Sequence, residues 1–173
     1  MLLDKNNGVR RFAFVALFLS LALIFSYVEI LFPISLLIPL PGFKLGLANM
    51  LVLWLLVNAS PWDAGIVSFL RILIIAALFG TPVSFWFSFG GAFVSFLAMT
   101  LTRKMRGVSY IGLSILSAAA HHLGQLVAAA CLFGIKAMRA YLPIMLVAAV
   151  IFGGLCGMLL NLVAPRIKKE GMA

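Results

Sequence analysis

The sequence predicts an all-α membrane protein, a compact bundle of six transmembrane helices with both termini in the cytoplasm. Three observations predict it. Of the 173 residues, 65% are hydrophobic and only 10% are charged, too few polar residues to cover a soluble globule of this size. The apolar residues form six long runs, and the cations lie at the ends of these runs. A net charge of +9 therefore reports membrane topology and not nucleic-acid binding.

A membrane span needs about 20 apolar residues. The six predicted spans cover residues 11–34, 45–61, 63–80, 82–102, 109–134 and 139–164. The breaks between them contain prolines, glycines or clustered cations, which end or interrupt helices. These breaks fall at Pro33, Pro39 and Pro41, at 58–61, at 80–82, at 103–106, at 136–139 and at Pro165. The second and third spans are short for a bilayer crossing.

The first span begins after Lys5, Arg10 and Arg11 and runs to about Pro33. A basic start before an apolar run is also typical of a signal peptide. This run is roughly twice as long as an ordinary signal-peptide core, and no clear small-residue cleavage site follows it. We therefore predict that it is a retained first helix.

The distribution of Lys and Arg predicts the orientation. Alternating the loops places nine cations on one side of the membrane and three on the other, with Arg71 inside the third span. The nine-cation side is expected to be cytoplasmic, in a bacterial cytoplasmic membrane. The connections at 35–44, 80–82 and 135–138 then face outward. No loop is long enough for a soluble domain and no internal repeat is present, so residues 1–173 are predicted to form one domain.

The outward connection and the start of the second span read IPLPGFKLGLANM, residues 38–50. Pro39 and Pro41 keep the chain extended, and Gly42 permits a turn before Lys44. One interpretation is a stiff lid at a helix mouth, with Asn49 facing a cavity or another helix because an amide facing lipid is costly. The other is an ordinary proline turn with an interfacial lysine.

Four ionisable residues lie inside the predicted spans, where such residues are functional candidates. At 1.5 Å rise per residue, Glu29 lies near the outer surface, while Arg71 stands about 13 Å and His121 about 18 Å from the inner end of its helix. Arg71 is therefore expected to contact the fifth helix more easily than it contacts Glu29. His121 and Gln125 share one helix face and His122 points about 100° away, so at most one histidine is expected to face a given cavity.

These polar residues have three interpretations: satisfied hydrogen bonds between helices, contact with a ligand, or a metal site. Adjacent histidines diverge on a helix and no Cys or carboxylate lies at ligand spacing, so no metal is expected. Cys131 and Cys156 fall at different predicted depths, so no disulfide is expected either.

The fourth span opens with TPVSFWFSFGG, residues 81–91. Its aromatic residues fit an aromatic belt at the outer interface. Alternatively, Trp86 and its neighbours form a stacking wall for a planar ligand, with Ser84 and Ser88 supplying hydrogen bonds. The cations Lys44, Lys136 and Arg139 would give the outer mouth a positive field suited to an anionic solute.

The stretch PGFKLGLAN (41–49), the six spans and the stretch AHHLGQ (120–125) together resemble the Gx-transporter family, also catalogued as heptaprenyl diphosphate synthase component I. That family is similar to the substrate-capturing S-components of energy-coupling factor transporters. The resemblance implies that the first outer loop closes over a ligand near the external face. It also implies docking of a coupling subunit on a small-residue face of the first helix, which Ala16 and Ser20 match loosely. Gly153 and Gly157 form a second small-residue pair that permits close helix packing.

The function expected first is an integral membrane subunit that binds and takes up a small molecule of the vitamin, flavin or isoprenoid type. The chain has no phosphate-binding loop, so separate ATPase and coupling subunits would supply the energy. A prenyl diphosphate synthase needs clustered aspartates for Mg²⁺, whereas only Asp4 and Asp63 are present, so no enzymatic activity is expected. A non-catalytic role beside that synthase, or in a flavin or quinone redox complex, stays open.

The candidate residues fall into three groups. Those expected to bind the ligand are Glu29, Lys44, Asn49, Ser84, Trp86, Ser88, His121 and Gln125. Arg71 and His122 are assigned to a polar network inside the membrane, and Ala16 and Ser20 to partner docking. No cofactor, metal or nucleic acid is expected.

Overall fold

The computed structural model describes residues 8–31, 46–103, 108–135 and 141–170. The described ranges contain six α-helices and no strand. The helices are α1 (Gly8–Leu31), α2 (Leu47–Asn58), α3 (Pro61–Phe79), α4 (Pro82–Thr102), α5 (Tyr110–Phe133) and α6 (Leu142–Glu170). Five of them, all except α2, are long and apolar enough to cross a membrane, as in a multi-pass membrane protein.

The boundaries of α4 agree with the predicted span 82–102, and those of α3 and α5 lie within two residues of prediction. The second span was predicted too long, because α2 has only 12 residues and spans about 18 Å at 1.5 Å per residue. Its predicted end belongs to the next helix. The Ser60 side chain accepts a hydrogen bond from Trp62 N, and Pro61 occupies the first turn, so α3 begins there.

The predicted break at Pro165 is wrong, because α6 continues through this residue to Glu170. A proline inside a helix removes one backbone hydrogen bond, to the carbonyl four residues earlier. Here that carbonyl belongs to Asn161. Pro165 and Asn161 are both exposed, beyond the most apolar part of the helix, where water can satisfy the carbonyl.

The shortest helix lies at the centre of the bundle. All side chains from Val52 to Leu56 are at most 1% exposed, which means that α2 is covered on every side. Its sequence is apolar all round, as expected of a fully buried helix. Trp54 stacks on Phe18 of α1 with ring centroids 5.0 Å apart, and the same cluster includes Val67 and Leu160 from α3 and α6.

The helices alternate in direction and define two ends of the bundle. The amino-terminal face carries the start of α1 and the end of α2. There Arg11 donates to Asp63 at 2.7 Å, and Asn58 and Tyr110 hydrogen-bond to each other. The opposite face carries the end of α1 and the start of α2, and there Tyr27 packs against Phe79.

Glycines let α4, α5 and α6 pack closely. A Cβ on Gly124 of α5 would overlap the Gly90 carbonyl of α4, and one on Gly157 of α6 would lie 2.5 Å from Ile111 Cα of α5. Gly153 meets the same helix, so the predicted close approach at Gly153 and Gly157 is confirmed. Close packing of α5 between α4 and α6 buries the polar residues of α5. Cys131 and Cys156 are both free.

Candidate functional site

Arg71 is the centre of a buried polar chain near the middle of the bundle. Its side chain extends from α3 and is only 7% exposed. Nη2 donates to Asn49 Oδ1 of α2 at 3.0 Å, and Nη1 lies 3.5 Å from Ser26 Oγ of α1, a long hydrogen bond. One guanidinium group therefore ties together three helices.

Asn49 extends this chain to α5. Its Nδ2 lies 3.1 Å from Nδ1 of His121. An amide nitrogen only donates, so Nδ1 accepts and the His121 proton is assigned to Nε2. Arg71 is thus linked to the fifth helix through Asn49. We refer to Arg71, Asn49 and His121 as the buried triad.

Gly91 of α4 makes room for His121. A Cβ at Gly91 would lie 2.7 Å from His121 Nε2 and 2.9 Å from Gln125 Cγ. Any side chain at residue 91 would therefore push the imidazole out of its present position. The small residue on α4 is part of what places His121 against Asn49.

Glu29 lies at the start of α2. Its Oε1 accepts a hydrogen bond from the backbone N–H of Leu47 at 2.8 Å. A carboxylate at this position also interacts favourably with the positive end of the helix dipole. Glu29 interacts electrostatically with Arg71 as well. The predicted similar depth of Glu29 and Asn49 agrees with this contact, because Leu47 is only two residues before Asn49.

A cavity of about 150 Å³ lies beside the buried triad, toward the opposite face, between α1, α3, α4 and α5. We call it the Arg71 cavity. Part of its lining is polar and part is apolar. The polar residues are Ser26, Arg71, Ser84, Ser88 and His121, and the apolar ones are Ile30, Ile72, Ile75, Ala76, Phe79 and Gly80. The cavity therefore offers hydrogen bonds on some walls and hydrocarbon on the others.

A second cavity of about 20 Å³ lies between α2, α5 and α6, and His121 lines both cavities. Its size suits about one water molecule. His122 also lines it, so the prediction that at most one histidine faces a given cavity is wrong. The reason is that α5 is enclosed by other helices, so residues on neighbouring faces of it can line the same small space.

Gln125 lies apart from the Arg71 cavity. Its Oε1 is 3.2 Å from Nδ1 of His122, and it lines a mostly apolar pocket of about 50 Å³ with Phe87 and Tyr141. The structure therefore pairs Gln125 with His122, and Gln125 does not line the Arg71 cavity. Its predicted ligand contact stays a prediction.

The fourth helix contributes two serines and no tryptophan to the Arg71 cavity. Ser84 and Ser88 line the cavity, and Ser84 also forms a capping box with Thr81. Trp86 is 53% exposed and packs against Phe85 and Phe89 on the outer surface of α4. That position favours the aromatic-belt interpretation for Trp86.

The remaining candidates lie elsewhere. Lys44 lies outside the described residues. Ala16 is half-buried and Ser20 is exposed on the surface of α1, where Ser20 Oγ donates to the Ala16 carbonyl at 2.9 Å. They are accessible to a partner in the membrane and do not line the Arg71 cavity.

The sequence-based reasoning missed Ser26 and Gly91. Ser26 lies three residues before Glu29, one helical turn away on the same side of α1, so spacing from Glu29 was the available signal. Gly91 lies in the stretch 81–91 but gave no signal of its own, since the importance of a glycine depends on which side chain lies opposite. Among the residues that the structure describes, no group of three or more His, Cys, Asp or Glu side chains lies close enough to hold a metal.

The comparisons with known proteins identify a family. Residues 18–163 match the model of the family described as heptaprenyl diphosphate synthase component I. The match covers α2 to α5 and most of α1 and α6, and with them every member of the buried triad. No curated protein and no solved structure matches the chain.

Proposed function

We propose that this chain, which belongs to the heptaprenyl diphosphate synthase component I family, is an integral membrane subunit that binds and takes up a small molecule. The observation that carries this proposal is the buried triad beside the Arg71 cavity. Arg71 and His121 come from two different helices and both line this cavity. Asn49, from a third helix, does not line it but hydrogen-bonds to both of them. Convergent polar groups in a mainly apolar cavity are typical of small-molecule sites.

The free-energy cost of placing Arg71 inside the membrane supports a binding role. An arginine in the middle of a membrane helix costs several kcal/mol unless it is paired or hydrated, and such residues usually mark functional sites. A purely structural arginine would be expected to lie in a fully packed environment. Arg71 instead lines a cavity of about 150 Å³.

The direction of uptake follows from the charge distribution. The Arg71 cavity lies toward the opposite face of the bundle. The excess of cations at the other end supports the proposal that this face is directed out of the cell. Residues 32–45, which contain Lys44, connect α1 to α2 on this side and lie outside the described residues. In the proposal this connection closes over the bound ligand before the protein releases it to the cytoplasm.

The proposed cycle needs partners. By resemblance to energy-coupling factor S-components, a membrane coupling subunit and ATPases would supply the energy. The surface of α1 around Ala16 and Ser20 is the proposed docking site, since both side chains are accessible on the outside of the bundle. Small residues at helical spacing allow two membrane helices to approach closely.

The proposed role is not enzymatic. Prenyl diphosphate chemistry needs carboxylates that hold Mg²⁺ on a diphosphate. Asp63 is bound by Arg11 on the amino-terminal face, with Oδ1 at 2.7 Å from Nη2, far from the Arg71 cavity. Asp4 lies outside the described residues.

A second candidate function follows from the family description, which names a component of a synthase. In that alternative the chain is a non-catalytic membrane subunit that binds the other component of a heptaprenyl diphosphate synthase. A non-catalytic subunit of a flavin or quinone redox complex is a variant of the same idea.

Native mass spectrometry of gently extracted protein tests these functions. If the protein captures a solute, the wild type is expected to retain a small molecule in a defined ratio, and this molecule should be lost when Arg71 is replaced. Retention of no small molecule, together with stable co-purification of a prenyl synthase subunit, would support the second function. Co-purification of a flavoprotein or quinone enzyme would support the redox variant.

A further inference from the structure

We propose that the ligand is an anionic amphiphile, whose carboxylate or phosphate head occupies the Arg71 cavity and whose apolar chain lies between α3 and α4. This inference rests on the proposed function and specifies the class of ligand. It is carried by two neighbouring cavities, one partly polar and one almost wholly apolar, that share one lining residue, Ile72.

Arg71 lines the Arg71 cavity and supplies the cation that an anionic head group would pair with. Its Nη2 and Nη1 contact Asn49 and Ser26, but its Nε is buried and has no hydrogen-bond partner in the described part of the chain. An unpartnered buried donor costs about 1–3 kcal/mol, and more when it is charged. A carboxylate or phosphate oxygen is the acceptor that best matches a guanidinium group.

The charge balance favours an anion. Glu29 carries the negative charge near Arg71, but its carboxylate is already bound to the Leu47 N–H at the positive end of α2. The Glu29 carboxylate therefore divides its interactions between Arg71 and the Leu47 N–H. The hydroxyls of Ser84 and Ser88 add neutral hydrogen-bonding groups on the facing wall.

The neighbouring groove, with a volume of about 250 Å³, is the proposed site of the apolar chain. We call it the α3–α4 groove. Its lining is almost wholly apolar, with Ser68 as the single hydroxyl. Phe89 stacks on Phe85 at 5.9 Å and on Phe93 at 6.2 Å, so aromatic rings form one continuous side of α4.

The groove leads away from the Arg71 cavity toward the amino-terminal face. It extends along α3 from Ile72 to Gly65, a distance of about 10 Å at 1.5 Å per residue. At Gly65 an added Cβ would lie in ordinary contact with the Phe96 ring, at 3.4 Å, and would meet no backbone. The two cavities together therefore suit a molecule with a charged head and an extended apolar chain.

The experiment uses the full chain in nanodiscs of phosphatidylcholine, with three probes: decyl phosphate, butyl phosphate and 1-decanol. Decyl phosphate has both head and chain, and each of the others lacks one feature. Binding is measured by isothermal titration calorimetry. We expect the wild type to bind decyl phosphate at least about tenfold more tightly than either other probe, since one lost polar contact or one short apolar chain exceeds 1.4 kcal/mol.

Two variants separate the head site from the chain site. Arg71→Met is expected to weaken decyl phosphate binding about tenfold or more and to leave 1-decanol binding unchanged. Gly65→Leu fills the groove and also favours helix formation, so it should fold. It is expected to abolish the preference for decyl over butyl phosphate while butyl phosphate binding stays unchanged.

Arg103→Met is the matched control. Arg103 lies on the amino-terminal face, donates to the Leu56 carbonyl at 3.1 Å and lines neither cavity, so its loss should leave all three affinities unchanged. If Arg71→Met does not fold, Arg71→Lys takes its place. Lysine keeps the charge but loses the forked geometry, and an intermediate affinity is expected.

The inference is overturned if the wild type does not bind decyl phosphate, if 1-decanol binds equally well, or if Gly65→Leu keeps the chain-length preference. It is also overturned if an Arg71 variant binds like the wild type, since the phosphate then lies elsewhere or a bulk phospholipid fills the site. Failure of the proposed function looks different. In that case native mass spectra of the wild type show no retained small molecule, whatever the response to decyl phosphate.

Discussion

Asn49 is the residue on which the buried triad depends, because its side chain is both an acceptor for Arg71 and a donor to His121. An aspartate in its place could not donate, and a leucine could do neither. The Asn49 amide thus links α2 to both α3 and α5. Its loss would leave a buried guanidinium group with one partner fewer and a buried imidazole with an unfilled acceptor.

Asn49→Ala is expected to abolish ligand binding and to lower the free energy of unfolding by about 1–3 kcal/mol, because buried polar groups lose their partner. Asn58→Ala is the matched control on the same helix. Asn58 hydrogen-bonds to Tyr110 on the amino-terminal face, away from the Arg71 cavity. It should cost about 1 kcal/mol and leave binding intact.

Thermal unfolding in detergent and ligand retention in native mass spectra measure the two effects separately. Equal loss of ligand in both variants would contradict the local role of Asn49. It would indicate that binding depends on the general stability of α2.

At the scale of the helices, close packing determines where the polar groups lie. Gly124 brings α5 against α4, and Gly153 and Gly157 bring α6 against the other side of α5. Because side-chain volumes are missing at these crossings, the backbones approach and the hydroxyl groups of Ser95 and Ser117 meet at 2.9 Å between α4 and α5. The same packing holds His121 in place for Asn49.

Gly157→Ala is expected to destabilise the protein by about 1–3 kcal/mol, because the new methyl group overlaps the α5 backbone at Ile111. Gly154→Ala, three residues earlier on the same helix, is the control. Its Cβ would have only Ile115 Cδ1 within reach, at 4.0 Å. This variant should be neutral or more stable by up to about 1 kcal/mol, from helix propensity.

Unfolding midpoints in a fixed detergent compare the two α6 variants. A Gly154→Ala variant as unstable as Gly157→Ala would show that α6 tolerates no added methyl group anywhere. Specific contact with α5 would then not be the cause.

At the scale of the whole molecule, the orientation in the membrane decides whether the Arg71 cavity can receive a solute from outside. Five helices are long enough to cross, while the 12-residue α2 lies within the bundle and is covered by its neighbours. A short helix is tolerated there because it is surrounded by protein and not by lipid. The two ends of α5 then face opposite sides of the membrane.

Cysteine labelling at the ends of α5 tests this orientation. Val108 and Ile135 flank α5 and are 39% and 60% exposed. In a chain with Cys131→Ser and Cys156→Ala, we expect Ile135→Cys to react with an impermeant maleimide in intact cells. Val108→Cys should react only after permeabilisation. The reverse pattern would place the Arg71 cavity toward the cytoplasm and rule out capture from outside.

The sequence by itself determined the membrane class, the approximate positions of the helices and most of the candidate polar residues. These properties are local: a run of apolar residues predicts a helix in lipid, and a proline or glycine predicts its end. The bounds of α4 were predicted to the residue for this reason. The end of α2 was missed because Ser60 and Pro61 serve the next helix, and Pro165 was misread because one lost hydrogen bond does not end a helix in water.

Only the tertiary structure decided which polar residues meet. Depth along a helix follows from counting residues, but the rotation of each helix and its neighbours depend on side-chain packing across the whole bundle. Asn49 therefore could be placed near a cavity, but not between Arg71 and His121. The contact of Ser26 with Arg71 and the pairing of Gln125 with His122 likewise became visible only in the packed bundle. Helix packing, which no single segment encodes, created the Arg71 cavity.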